Sequence, residues 1–413
     1  MKIRNEGRLR MNDTFVKLQR TRWFYVVLAI ILMLFLGLIY AWSVFRVPLE
    51  KEFGWDAAES SVTFSISMMT FCIGGLVSGI VTGKKGHRVT LTLCAVCLAL
   101  GFGGASRIQT LMGIYITYGV LCGFGVGLGY NAIIGTVLRW FPDKQGLVSG
   151  MTLMGFGFGS MLLGTLGADL ITRYGWRFTF QLFGIAFGIL FLLGAVLLRQ
   201  VPEAFLNEMA MDQQKVKATV EEVDYRDMLR RRNFWFFFFW AIAASSAGLA
   251  IMNVSGAYAN FILGDNLTKA AAIAGIISIT NGIGRVLIGQ LFDWKGYRFT
   301  MALDMILYLV SAGILMLSLI IKSVPVLIVA YIFSGFAYGG ISPNISAFVS
   351  YFFGRKHYAM NYSVAYLNLL VASLLGPIFG GGSYSAIFMW IVIFALIGFV
   401  LLFMIRNNRK KEV

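Results

Sequence analysis

Apolar runs of 18 or more residues recur along the chain from Phe24 to Ile405, separated by short polar segments. Each run is long enough to cross a hydrocarbon layer about 30 Å thick as an α-helix. Twelve spans are predicted, roughly 24–47, 60–82, 89–105, 111–139, 146–168, 176–198, 233–261, 270–292, 299–321, 325–352, 360–381 and 384–405. The period-two alternation of an outer-membrane barrel is missing, so the expected fold class is an all-α membrane protein. The first run follows RTRW and ends without a small-residue cleavage site, so it is expected to stay as a helix rather than to leave as a signal peptide. The pattern lapses only after Val201, where PEAFLNEMAMDQQKVKATVEEVDYRDMLRRR is charged and almost free of aliphatic runs. It reads as a linker too polar to form its own core. The expected organisation is therefore a six-helix bundle with its N-terminal tail (1–200), a linker (201–232) and a second six-helix bundle with its C-terminal tail (233–413).

Composition supports this reading and charge orients it. The 413 residues are 58% hydrophobic and 13% charged, against about 25% charged in soluble domains. The net charge of +16 alone would suggest a nucleic-acid partner, but its placement argues otherwise. With the N-terminus in the cytoplasm, 27 of the 35 Lys and Arg fall in the tails and loops of that side. Seven (Arg46, Lys51, Arg107, Arg173, Arg177, Lys269, Lys322) fall on the other side, and Arg285 lies inside a span. This asymmetry is the positive-inside rule. It predicts a multi-pass protein of the plasma (cell inner) membrane with both termini cytoplasmic, and it makes nucleic-acid binding an unneeded explanation.

The halves resemble each other. TFCIGGLVSGIVTGKKGHR (70–88) and TNGIGRVLIGQLFDWKGYR (280–298) are related by a shift of 210 residues, which pairs Thr70 with Thr280, Gly74 with Gly284, Gly79 with Gly289, Gly86 with Gly296 and Arg88 with Arg298. More weakly, CGFGVGLGYN (122–131) faces SGFAYGGISPN (334–344). Such a repeat predicts two bundles related by an axis along the membrane normal, with a site between them. One pair departs from the correspondence: opposite Arg285 stands Gly75. Symmetric positions are architecture, and an asymmetric one is where a substrate would be read.

Arg285 lies about 12 Å inside the span, eight residues from Asp293. Ser278, Asn281 and Gly289 share its helical face. Asp169 and Asp304 are expected near span ends, which leaves no acid at its depth. An unpartnered guanidinium, which cannot shed its proton, suits an anion and above all a carboxylate. The alternative is a structural arginine bonded to backbone carbonyls or a neighbouring acid. Around it the inner helices offer Tyr40, Trp42, Tyr118, Tyr130, Asn131, Tyr331 and Tyr338 as candidate substrate contacts.

Other motifs have structural readings. In GFGVGLG (123–129) and GFGFGS (155–160) the glycines let helix backbones approach closely, and neither motif follows a strand as a nucleotide loop would. Cys94 and Cys97 form a C-x-x-C inside a span and read as packing residues, as do Cys72 and Cys122. His87 and His357 are placed in short cytoplasmic loops, so no haem pair, metal site or other cofactor is expected.

The loop GQLFDWKGYR (289–298) has the G-x-x-x-D-x-x-G-x-R spacing of the major facilitator signature, and Gly83 replaces the Asp in its counterpart (79–88). Gly79, Gly86, Arg88, Gly289, Asp293, Gly296 and Arg298 are thus expected to serve conformational change rather than substrate contact. YAWSVFRVPLEKEFGW (40–55), RWFPDKQGLVSGMTLMGFGFGS (139–160) and NGIGRVLIGQLFDWKG (281–296) resemble the oxalate/formate antiporter family of the major facilitator superfamily, nearly throughout the chain. The resemblance implies twelve helices, alternating access, small carboxylate substrates, and a carboxylate-binding role for Arg285. It also implies a lysine in span 11 of oxalate exchangers, whereas residues 361–381 hold no Lys or Arg and Asn368 stands about there. A dianion would leave one charge uncompensated. The expected protein is a non-enzymatic, monomeric, monocarboxylate-transporter-like carrier of lactate, pyruvate or formate, working by proton-linked symport or anion exchange, with Asn368 as a further contact. Alternatives are a dicarboxylate exchanger, an exporter of a hydrophobic compound, and a sensor on a transporter scaffold.

Overall fold

A computed structural model describes residues 2–141, 145–202, 222–264, 266–354, 358–380 and 383–405. His357, Lys144 of the WFPDKQG loop, most of the linker and the C-terminal tail lie outside these residues. Among the described residues ten helices are long and apolar enough to cross a membrane. We number them α1 (Thr21–Phe53), α2 (Ala57–Lys85), α3 (His87–Ala105), α4 (Leu111–Trp140), α5 (Gly150–Tyr174), α6 (Trp176–Leu197), α7 (Arg232–Leu263), α8 and α9 (together Leu267–Ile321), α10 (Val324–Phe353) and α12 (Tyr384–Met404). Helix α11 is shorter in apolar length and broken at Leu367 into Tyr358–Tyr366 and Asn368–Gly380. Among the described residues there is no strand. The expected all-helical, twelve-span architecture is therefore present.

Helices α8 (267–295) and α9 (297–321) run on without a loop because one residue reverses the chain. Gly296 has φ 76° and ψ 175°, a conformation open essentially only to glycine. Gly86 turns α2 into α3 at φ 84° and ψ 162°. A Cβ on Gly296 would meet nothing within 4 Å, so its intolerance of side chains is conformational rather than steric. Gly296→Ala is expected to destabilise the protein by about 1–3 kcal/mol, read as a lower melting temperature in detergent. Gly79→Ala, on a helix with equally open space, leaves that temperature unlowered.

The repeat extends to individual contacts. A Cβ on Gly74 would overlap the Phe124 carbonyl, and one on Gly284 would press on that of Phe336. Gly123 abuts Thr70 as Gly335 abuts Thr280, and Gly127 lies on the Phe71 carbonyl as Gly339 lies on that of Asn281. Helices α2 and α4 thus pack as α8 and α10 do, backbone on backbone.

Three residues sit differently from their expected places. His87 is buried at the start of α3 rather than in a loop, and its Nε2 donates to the Leu198 carbonyl at 2.6 Å. In the second bundle it is the next position, Arg298, that bonds the end of the last helix, from its Nη2 to Ile405 O at 3.4 Å. Arg46 is buried inside α1, bonded to Ser61 and 3.4 Å from Glu50 Oε1. Asp304 is fully buried and lies eight residues beyond the Gly296 turn, about 12 Å along its helix, deeper than the edge of the apolar run implies. Arg285 lies eleven residues before the same turn, about 16 Å, so Asp304 sits about one helical turn nearer the terminal face than the arginine.

The bundles touch on the face opposite the chain termini. Ser43 of α1 hydrogen-bonds Ser255 of α7 at 3.4 Å and accepts from the Gly256 amide at 3.1 Å. Val44 and Ala168 pack with Ala271 and Leu267. The outer segment of α11 (Asn368–Gly380) packs on α2, whereas its inner segment packs on α10.

Candidate functional site

The face of α8 that carries Arg285 looks into the space between the bundles. Ser278 hydrogen-bonds Ser160 of α5, and a Cβ on Gly157 would press on Gly282, so α8 and α5 run in close contact up to the arginine. One turn before Arg285, the Asn281 Oδ1 accepts from its Nε at 3.0 Å. This bond fixes the plane of the guanidinium and leaves its far edge free. Arg285 is 7% exposed, and among the described residues its Nη1 has no hydrogen-bond acceptor and no carboxylate pairs with it. The Tyr130 hydroxyl lies within hydrogen-bonding reach, and Tyr40, Tyr366 and Tyr338 complete the surroundings.

Local backbone features put those tyrosines there. Midway along α1 the helix tightens into a 3-10 turn over Gly37–Ala41, and Gly37 lets it lie directly on the Phe156 carbonyl of α5. Tyr40 then projects from α1 to share a 3.2 Å hydrogen bond with Tyr338 of α10. Gly248 of α7 leaves room for the Tyr338 ring. Tyr40 and Tyr130 both pack edge-on against Phe156, with centroids 5.3 and 5.1 Å away, and Phe71 lies 5.3 Å from Tyr130. The outcome is one buried cation, held on one side and ringed by phenols from both bundles.

Of the candidates read from the sequence, the structure brings together Arg285, Asn281, Tyr40, Tyr130 and Tyr338. The others lie elsewhere. Trp42 donates to the Ser60 carbonyl at 3.0 Å and packs 4.6 Å from Tyr118, inside the first bundle. Tyr331 donates to the Ser255 carbonyl at 2.6 Å. Asn368 donates to Ala241 O and Ser245 Oγ at 3.0 and 2.8 Å, anchoring the break of α11 to α7 rather than facing the arginine. Asn131 donates to the Gly75 carbonyl at 2.7 Å, and its amide lies 3.0 Å from where a Gly75 Cβ would stand. In the first bundle, an asparagine from α4 thus occupies the space beside α2 that Arg285 fills in the second.

Among the loop residues, Gly86 and Gly296 make the two turns, while Gly79 and Gly289 are helical, Gly289 with Pro343 3.6 Å from a Cβ. Arg88 is exposed, and Arg298 reaches Tyr297 and Ile405. Asp293 is exposed and makes no ion pair among the described residues. Sequence reading missed Tyr366, Phe71 and Phe156. Phe71 carried a usable signal, since the shift of 210 pairs it with Asn281, so two successive turns differ between the halves exactly where the cation is held. Tyr366 carried none.

This arrangement can hold one anion and hydrogen-bond its neutral oxygens. It contains no nucleophile poised beside a base, and among the described residues no cluster of His, Cys, Asp and Glu could ligate a metal. Comparison with known proteins agrees. Residues 26–377 match the model of the Major Facilitator Superfamily. The chain is 29% identical over 365 residues to an uncharacterized MFS-type transporter of Escherichia coli, covering 86% of this chain and 87% of that one. It is 28% identical over 377 residues to the oxalate:formate antiporter of Oxalobacter formigenes, covering 89% and 85%. Mammalian monocarboxylate transporters are also among its relatives. Its fold superposes on the xylose transporter of E. coli in a partially occluded, inward-open conformation, with a TM-score of 0.71, 14% identity, and 95% and 100% of the two chains covered. With a family match spanning most of its length and both bundles in place, the chain is a multi-pass membrane transporter that belongs to the Major Facilitator Superfamily.

Proposed function

We propose that this transporter carries a small monocarboxylate of the lactate, pyruvate or formate class, with Arg285 holding the carboxylate. The observation that supports this most is the free Nη1 edge of a buried guanidinium that has no acid beside it among the described residues. A carboxylate there gains a charge-assisted pair in low dielectric, with the Tyr130 hydroxyl beside the guanidinium to serve a keto or hydroxyl oxygen. Residues 361–381 supply no second cation, so a dianion would keep one bare charge. A relative named for oxalate:formate antiport handles one substrate of each kind, and the single cation here favours the monoanion. Transport would follow rocking of the bundle 1–200 against 233–413 about the site, with 201–232 as their tether and the terminal face in the cytoplasm by the positive-inside rule. We take the monomer to be the working unit.

The test is counterflow in proteoliposomes loaded with unlabelled substrate. Labelled pyruvate, lactate or formate is expected to exchange, and oxalate to exchange far more slowly. Equal or faster oxalate exchange would show that the charge argument is mistaken.

A further inference from the structure

A second buried charged residue lies in the same bundle, and the anion site does not use it. Asp304 of α9 is fully buried. Its Oδ2 accepts from Asn344 Nδ2 at 2.7 Å, and Asn344 Oδ1 in turn accepts from Thr300 Oγ1 at 2.7 Å. Thr300 lies one turn past Gly296 and bonds its carbonyl at 3.4 Å. Beneath that turn is a cavity of about 380 Å³ lined by Phe292, Asp293, Lys295, Gly296, Tyr297, Arg298 and Tyr351. On the other side Asp304 Oδ1 has no hydrogen-bond partner among the described residues, nor has the hydroxyl of Tyr308 one turn further along α9. Tyr308 packs on Gly248 beside the ring of Tyr338, which holds Tyr40 in the arginine cage. A line of polar groups thus runs from the cavity on the terminal face, through Asp304, to the edge of the anion site.

The repeat shows that packing does not require this acid. The shift of 210 pairs Thr300 with Thr90, Asp304 with Cys94 and Tyr308 with Leu98. The threonines are alike, and Thr90 bonds Gly86 O at 3.3 Å. Cys94 packs its sulfur on Gly129 of α4, as Asp304 packs its carboxyl on Gly340 of α10. The first bundle fills the same place with an apolar thiol and a leucine. Tyr308 is the one titratable side chain among the described residues that faces Asp304; α10 presents Asn344 and Gly340, and no Lys, Arg or second acid approaches it. A carboxylate there would be buried without a cation at a cost of several kcal/mol, whereas a neutral acid fits. The other acid deep in the sequence of a span, Asp169, is half-exposed and paired with Arg173 at 2.9 Å.

We propose that Asp304 is the proton-binding site of this carrier, loaded together with the substrate anion and emptied when the anion leaves. The proton comes from water at an open face, sits on the Asp304 carboxyl during the loaded crossing, and returns to water on the other side. This assigns the coupling to proton symport and rests on the monocarboxylate reading above. Asp304→Asn keeps the shape of the neutral acid, and Asp304→Cys installs the residue of the first bundle, so both variants are expected to fold. In proteoliposomes, both should retain pyruvate counterflow and lose accumulation driven by an inside-alkaline pH difference. Accumulation as in wild type would overturn the proposal. Loss of counterflow in variants with unchanged melting temperature would overturn it too, because Asp304 would then serve binding. A second readout needs no substrate: as the pH is lowered from about 8 to about 5, the infrared difference spectrum of wild type minus Asp304→Asn should gain the carbonyl band of a protonated carboxylic acid, at a pH where an ordinary aspartate is still ionised, and absence of that band across the range would refute the assignment. Failure of wild-type counterflow with pyruvate, lactate and formate would reject the substrate reading alone, and the infrared result would still decide the charge state of Asp304.

Discussion

Arg285→Ala is expected to abolish saturable monocarboxylate binding and transport while leaving the protein folded. The wild-type side chain hydrogen-bonds Asn281, has the Tyr130 hydroxyl within reach and makes no ion pair among the described residues, so truncation removes a desolvated charge without stranding a partner acid. Loss of a charge-assisted pair in a buried site is worth about 2–5 kcal/mol or more, a fall in affinity of at least thirtyfold or so at about 1.4 kcal/mol per factor of ten. Arg285→Lys keeps the charge but loses both the planar fork and the Nε bond that orients it, so it should recover only part of the activity. Equilibrium binding of pyruvate by calorimetry, beside the melting temperature of each variant, separates the two roles. If Arg285→Ala binds pyruvate as wild type does, the anchoring role is wrong. A collapse in melting temperature instead would identify Arg285 as structural.

Gly339→Val should be the most damaging of the packing changes, for two connected reasons. A Cβ at Gly339 would overlap the carbonyl of Asn281, so α10 and α8 must separate. Overpacking of this kind costs about 1–3 kcal/mol. The displaced backbone also carries the Asn281 amide that orients Arg285, so affinity for the anion falls along with stability. Gly127→Val puts the same overlap on the Phe71 carbonyl in the first bundle. It should lower the melting temperature by a similar amount while leaving the Asn281–Arg285 bond intact. Melting curves and substrate affinity for the pair would show this: equal loss of affinity in both variants would mean that the α8–α10 contact has no special hold on the cation.

Much of this molecule was legible in its sequence because membrane burial leaves few choices. Helix length against bilayer thickness gave the spans, and lysines and arginines gave an orientation. A cation among apolar residues could not be mistaken for packing, so Arg285 stood out without any structure. Tyrosines gave no such signal: of seven aromatic and amide candidates around the cation, only Tyr40, Tyr130 and Tyr338 sit beside it, because a buried tyrosine satisfies its hydroxyl on a backbone carbonyl as readily as at a site. Asn368 illustrates the limit. Its helix breaks at Leu367, and the break turns the amide onto α7, a rotation that no periodicity reveals. Asp304 was visible but misjudged in depth, since the position of a helix turn, and not the edge of an apolar run, is the right ruler. The repeat would have helped: it sets Cys94 opposite Asp304 just as it sets Gly75 opposite Arg285.

Both of those asymmetric charges, Arg285 and Asp304, belong to the second bundle, and this bears on how the carrier meets the electric field across its membrane. Moving one elementary charge through a potential of 100 mV involves about 2.3 kcal/mol. Loaded, the proposed carrier holds a guanidinium, a carboxylate anion and a protonated acid, which sum to zero. Empty, it holds a guanidinium and a bare aspartate, which again sum to zero. The voltage then does no work on either crossing, and flux follows the gradients of substrate and proton alone. Converting Asp304 to asparagine would leave the empty form with one positive charge, and its return would become sensitive to the membrane potential.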